Sequence, residues 1–209
     1  MSKKATSPKR ERDPAATWQR LIDATVRLML QQGFAGTAVE QICQEAGVTK
    51  GSFFHHFENK EAIGTAAVEW WGRMGTAHYA EAWKDATLDP LEQLHRMFDI
   101  MVGFTRRSDE SVVCMVGMMS QEMSATNPAF QAACEKELNL WTANVAKMLA
   151  AAKKRHKPKT KFDPETVAWF LNSLWQGSML VGKTCRSQKL IRHNLKLARA
   201  YVDGLFQAN

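Results

Sequence analysis

Apolar residues along the 209-residue chain recur mainly every three or four positions, the period of a helix with one buried face. From Ala15, the residues Trp18, Leu21, Ile22, Thr25, Leu28 and Met29 share such a face, and Gly33 stops the run. A short helix is predicted near 38–46 with Thr37 as its N-cap. A turn at Gly47-Val48 and a third helix near 50–56, capped by Thr49, follow. A long fourth helix opens at Glu58 or Asn59 and reaches about Trp83. Asp89-Pro90 opens a fifth that ends near Arg106-Arg107-Ser108, a sixth begins near Val112, and Asn127-Pro128 opens a seventh that runs to about His156. The basic segment KKRHKPKTKFDP reads as a loop. Asp163-Pro164 then opens an eighth helix to about Arg186, and a ninth occupies about 187–206. Alternating strand patterns and internal repeats are missing. The prediction is an all-α chain of about nine helices.

Composition adds limits. At 45% hydrophobic and 23% charged the chain is ordinary globular material with enough apolar residues for a sizeable core. No apolar run approaches the ~18 residues of a membrane span, and the polar N-terminus lacks the apolar segment of a secretory signal. A cytoplasmic location with reduced thiols is therefore expected. Cys43, Cys114, Cys134 and Cys185 form no CxxC pair, so no metal site is expected. The net charge is +7, unevenly placed. Residues 1–12 carry Lys3, Lys4, Lys9, Arg10 and Arg12 against the single acid Glu11, and residues 1–14 read as a flexible basic arm. A second stretch, Thr166 to Val202, is free of acids and carries six cations from Lys183 to Arg199. Such charge suits nucleic acid or an anionic membrane face.

Residues 38–57, AVEQICQEAGVTKGSFFHHF, read as a helix-turn-helix. Val39, Ile42 and Cys43 are placed to pack on Phe53 and Phe57, Gly47 allows the bend, and Val48 fills the angle. Thr49, Lys50, Ser52, His55 and His56 are left outside, as short donors and cations suited to phosphates and base edges. No carboxylate or Cys spacing turns the His pair into a metal site.

The stretch GFAGTAVEQICQEAGVTKGSFFHHFENKEAI resembles the DNA-binding domain of TetR-type transcriptional regulators, over roughly Trp18–Ile63. The resemblance implies a three-helix N-terminal domain (15–60), a larger helical ligand-binding and dimerisation domain (61–209), and a homodimer on a near-palindromic double-stranded DNA operator. It also implies DNA contacts by Thr37, Thr49, Lys50, Ser52, His55 and Lys60, with Thr37 and Lys60 as phosphate anchors. Phe54 stands where the family usually has Tyr, so that hydroxyl's phosphate contact is missing.

Beyond the motif, six tryptophans and a run of methionines including Met118 suit a core that also lines an adaptable cavity. Phe170, Leu174, Gly177, Ser178 and Val181 form one stripe, and Leu190, Leu197, Tyr201 and Leu205 another; the family resemblance assigns both to the dimer interface. Cys114 is predicted in the first turn of the sixth helix, where free N–H groups and the helix dipole would favour thiolate. This segment is similar to a branch of the family that responds to reactive, unsaturated or oxidising small molecules. In that branch a late-helix Lys, here Lys183, accompanies the Cys; Met115 and Val113 depart from its pattern. The function expected is a repressor that a small-molecule effector releases from DNA, with no cofactor. The alternatives are a ligand-independent architectural DNA-binding protein and an all-helical enzyme, for which no phosphate-loop, dinucleotide, zinc-protease or nucleophile-elbow motif is present.

Overall fold

The computed structural model describes residues 13–85, 87–106 and 113–207, and the regular elements among them are ten helices. They are α1 (Pro14–Gln32), α2 (Val39–Ala46), α3 (Lys50–His56), α4 (Lys60–His78), α5 (Ala80–Lys84), α6 (Pro90–Phe104), α7 (Met115–Met123), α8 (Pro128–His156), α9 (Pro164–Thr184) and α10 (Gln188–Phe206). The all-α expectation holds, with one helix more than predicted. The long fourth helix is interrupted at Tyr79, whose backbone makes a turn between α4 and α5. The expected arm 1–12 lies outside the described residues; Pro14, taken as its end, is the first residue of α1, behind an Asp13 cap that accepts from Ala15 and Ala16. Asp89, Asn127 and Asp163 similarly cap helices whose first residue is proline.

The chain divides into two compact units, one ending at Ala67 and the other beginning at Val68. In the first, the apolar face of α1 (Leu21, Ile22, Val26, Met29) is buried together with Ile42, Phe53, Phe57 and Ile63. Gly47 ends α2 in the left-handed region at φ 64°, as the turn requires. In the second unit α8 packs on α6, α7 and α9, and α9 packs on α10. The core there joins Leu94, Met97 and Phe98 to Leu149, Leu171, Trp175 and Ile191. Gly182 brings α9 and α10 together: a Cβ at that position would lie 2.4 Å from Ile191 Cγ1. No helix among the described residues is long and apolar enough to cross a membrane.

Candidate nucleic-acid interface and effector cleft

The N-terminal unit presents α3 with Lys50, Gly51, Phe54 and His55 exposed and Ser52 and His56 half-buried. The α3 cap is the Thr49 hydroxyl, which accepts from Ser52 N at 3.1 Å, as the sequence predicted. Lys50 pairs with Glu40 of α2. That hydrogen bond, with the charge attraction, holds the Glu40 carboxyl below its ordinary pKa and the Lys50 ammonium above its own. Thr49, Ser52, His55 and His56 border a cleft of about 610 Å³ with Thr17 and Arg20 of α1.

Thr37 and Lys60 are placed differently from the phosphate anchors expected. Thr37 is 2% exposed and donates its hydroxyl to the Gly33 carbonyl at 2.7 Å. Nor does it cap α2: Ala38 takes that position, and Gln41 Oε1 accepts from Ala38 N at 2.8 Å. Lys60 reaches back with its ammonium to the carbonyls of Phe34 and Thr37, both at 2.9 Å, and lies over the Phe34 ring at 4.2 Å. Both side chains therefore fasten the α1–α2 turn. Sequence spacing alone does not tell a buried turn threonine from an exposed cap.

In the C-terminal unit Cys114, Met118 and Lys183 come together, although nearly seventy residues separate the ends of that set. They line a cleft of about 290 Å³ between α7 and α9, with Gln176, Met179 and Leu180. Gln176 Nε2 donates to Cys114 Sγ at 3.7 Å, and the Lys183 ammonium meets Met118 Sδ at 3.7 Å. Gly117 lets α7 approach: a Cβ there would fall 2.3 Å from Gln176 Oε1. Gln176 escaped sequence reasoning; its only signal was an amide, one of two with Asn172, in the apolar stretch of α9.

The expected electrostatics of Cys114 are overturned. It is the N-cap of α7, one residue before the first turn. Burial pushes its thiol pKa up, against hydrogen bonds from the backbone of Gly117 and Val116, Gln176 and the Trp71 indole. Desolvation of the thiolate thus exceeds the helix-end stabilisation the sequence suggested.

Comparison with known proteins follows the same division. Residues 21–67 match the family described as bacterial regulatory proteins, tetR family, and residues 90–198 match the tetracyclin repressor-like C-terminal domain. The chain belongs to the TetR family. TetR-family proteins are DNA-binding transcriptional regulators and not enzymes. Among its relatives is the transcriptional regulator AcuR of Cereibacter sphaeroides, 29% identical over 84% of this chain and 80% of that protein. The HTH-type transcriptional repressor NemR of Escherichia coli K12 is 27% identical over 82% and 86%. The repressor DhaR of a Mycobacterium species is 25% identical over 82% and 84%. Two solved structures share the fold. The regulatory protein TetR from Rhodobacter sphaeroides has a TM-score of 0.79 at 26% identity, covering 88% of this chain and 97% of that one. The reduced form of E. coli NemR has a TM-score of 0.81 at 24% identity, covering 92% and 98%.

Two features bear on how this TetR-family chain meets its surroundings. Phe54, where the family usually has Tyr, is 56% exposed on the reading helix, edge-on to Phe53. On α9 and α10, Phe170, Val181, Leu197 and Tyr201 are exposed, Leu174 and Gly177 are half-buried, and the Phe170 and Tyr201 rings meet at 5.2 Å. Ser178 faces the other way. It is 3% exposed and accepts from Asn194 Nδ2 at 3.1 Å within the α9–α10 seam, which removes it from the outward stripe. Leu205 is buried as well, while Leu180 and Trp169, missed in the sequence, are exposed beside the stripe.

Proposed function

We propose that this TetR-family regulator is a homodimeric repressor that a small molecule releases from a near-palindromic DNA operator. The observation that carries the reading is the α7–α9 cleft, where Cys114, Met118, Gln176 and Lys183 combine a polarizable lining with a few polar groups. The relatives named as repressors support the sign of regulation. The exposed apolar face of Phe170, Leu180, Val181, Leu197 and Tyr201 supports α9–α10 as the interface. Such a dimer carries two reading helices, which must reach major-groove faces about 34–36 Å apart. Thr49, Lys50, Ser52 and His55 contact DNA, and the basic residues 1–12 strengthen binding to any sequence. The protein works in the bacterial cytoplasm, where its operator lies.

An effector shifts the dimer between DNA-competent and released states only by its difference in affinity for the two. Selection of a binding site from random double-stranded DNA, followed by titration with the full chain, tests the reading. A near-palindromic site, a dimer by sedimentation and a Phe170→Glu, Leu197→Glu variant that is monomeric with weakened DNA binding are expected. A wild type that binds the selected site as a monomer sinks it.

A further inference from the structure

Among the described residues of the N-terminal unit, Phe54 is the one large apolar side chain that stands exposed. It belongs to α3, and its ring meets that of the fully buried Phe53 edge-on, at 5.2 Å and 83°. The ring is thus seated on the core of the unit while more than half of the residue is left to solvent. Lys50 and Gly51, four and three residues earlier, are its neighbours on the helix surface, and both are exposed. Lys50 is drawn to Glu40 of α2, and Gly51 leaves a gap in the surface.

The fold does not call for that gap. Gly51 lies within α3 and outside the left-handed region. A Cβ added there would meet only Thr49 Oγ1 within 4 Å, at 3.9 Å, an ordinary contact. Alanine would fit and would favour the helix. The missing side chain therefore points to a body that approaches α3 closely from outside.

The chemistry of the ring narrows what that body presents. A phenyl group has no donor or acceptor, so against a phosphate oxygen or a polar base edge it displaces water and replaces nothing. In the major groove the base edges carry one apolar substituent, the C5-methyl of thymine. We propose that Phe54 and Gly51 form a thymine-methyl reader. In each half-site the ring takes the methyl of one thymine, and the open Gly51 position lets the helix come close enough for that contact. Thr49, Lys50, Ser52 and His55 then supply hydrogen bonds and charge, while Phe54 selects a base at a position that hydrogen bonds do not read. The inference rests on the proposed reading of α3 as the helix that enters the groove, and it adds the base that one side chain selects.

The test uses the full-length protein and the duplex that it selects from random double-stranded DNA. Each thymine of a half-site is replaced in turn by deoxyuridine, together with its equivalent in the other half-site. The exchange removes the methyl and keeps every hydrogen-bonding group. One such pair is expected to weaken binding by about fifteenfold, which is roughly fourfold per methyl. Phe54→Ala and Phe54→Gln are expected to bind the thymine and deoxyuridine duplexes equally at that pair, and Phe54→Tyr, which keeps the ring, to retain the difference. Gly51→Ala is expected to melt no lower than wild type and yet to bind the selected duplex about tenfold more weakly. Melting curves identify the folded variants, and one folded variant without the ring decides the role of Phe54. The proposal is overturned if no thymine pair depends on its methyl, if the dependence persists in a folded Ala or Gln variant, or if folded Gly51→Ala binds as wild type does. Lys50→Ala and Ser52→Ala are titrated beside these. If both leave affinity and sequence preference unchanged, the reading of α3 itself fails. If they change either while deoxyuridine has no effect, the thymine contact alone fails.

Discussion

In the unit that ends at Ala67, polar side chains hold the backbone in place: Lys60 binds the Phe34 and Thr37 carbonyls, Thr37 binds Gly33, and Thr49 caps α3. In the unit that begins at Val68, two interior indoles lack such partners and one carboxyl is buried. The Trp83 and Trp141 indoles have no acceptor among the described residues, and Glu137 is 8% exposed with its carboxyl pKa raised by burial. The contrast follows from size and task. A three-helix unit has little apolar surface to bury, so hydrogen bonds at its turns decide how its helices meet. A larger unit has apolar stability to spare and can carry interior polar groups without such partners.

The largest effect expected tests the packing half of the contrast. Gly182→Ala would force a Cβ against Ile191 and should destabilise the C-terminal unit by about 1–3 kcal/mol. Chemical denaturation should show that transition moving while the N-terminal one stays; a wild-type midpoint would mean the α9–α10 seam yields without cost. Lys60→Met tests the other half. Removing an ammonium that holds two carbonyls should destabilise the N-terminal unit by about 1–2 kcal/mol. The salt dependence of DNA binding should keep its slope. A slope lower by about one would instead make Lys60 a phosphate contact.

A smaller change should part folding from assembly. A Cβ at Gly177 would meet nothing within 4 Å in the protomer, so Gly177→Ala should gain about 1 kcal/mol of helix stability. On the outward face of α9 the same methyl should weaken the dimer, which sedimentation over a concentration series measures. Unchanged dissociation would remove Gly177 from the interface.

The smallest effect is a slope with pH. With its folded pKa raised above the ordinary carboxylate value, Glu137 binds more protons folded than unfolded in that window. Its contribution is therefore fully present below the unfolded pKa and lost as pH rises through the folded one. Glu137→Gln should remove that decline and leave the C-terminal unit more stable at neutral pH. A melting temperature that tracks wild type from acid to neutral pH would show that the shift does not bear on stability.

What the chain determined by itself was local. Helix period, Asp-Pro and Asn-Pro starts, the Gly47 bend and the Thr49 cap are set within a few residues, so α1 to α3 and the all-α class could be read directly. The Tyr79 break could not, because residues 58–83 keep a helical pattern through it. Long-range packing decided the rest. It turned Lys60 inward by 26 and 23 residues onto two carbonyls, and it set Ser178 against Asn194 rather than toward a partner. It also brought Gln176 across 62 residues to Cys114, and the desolvation of that half-buried thiol raises its pKa, opposite to the direction its helix position suggested. The physical reason is one and the same. Backbone preference acts between neighbours in sequence, whereas desolvation and hydrogen-bond partnership depend on which segments tertiary packing brings into contact.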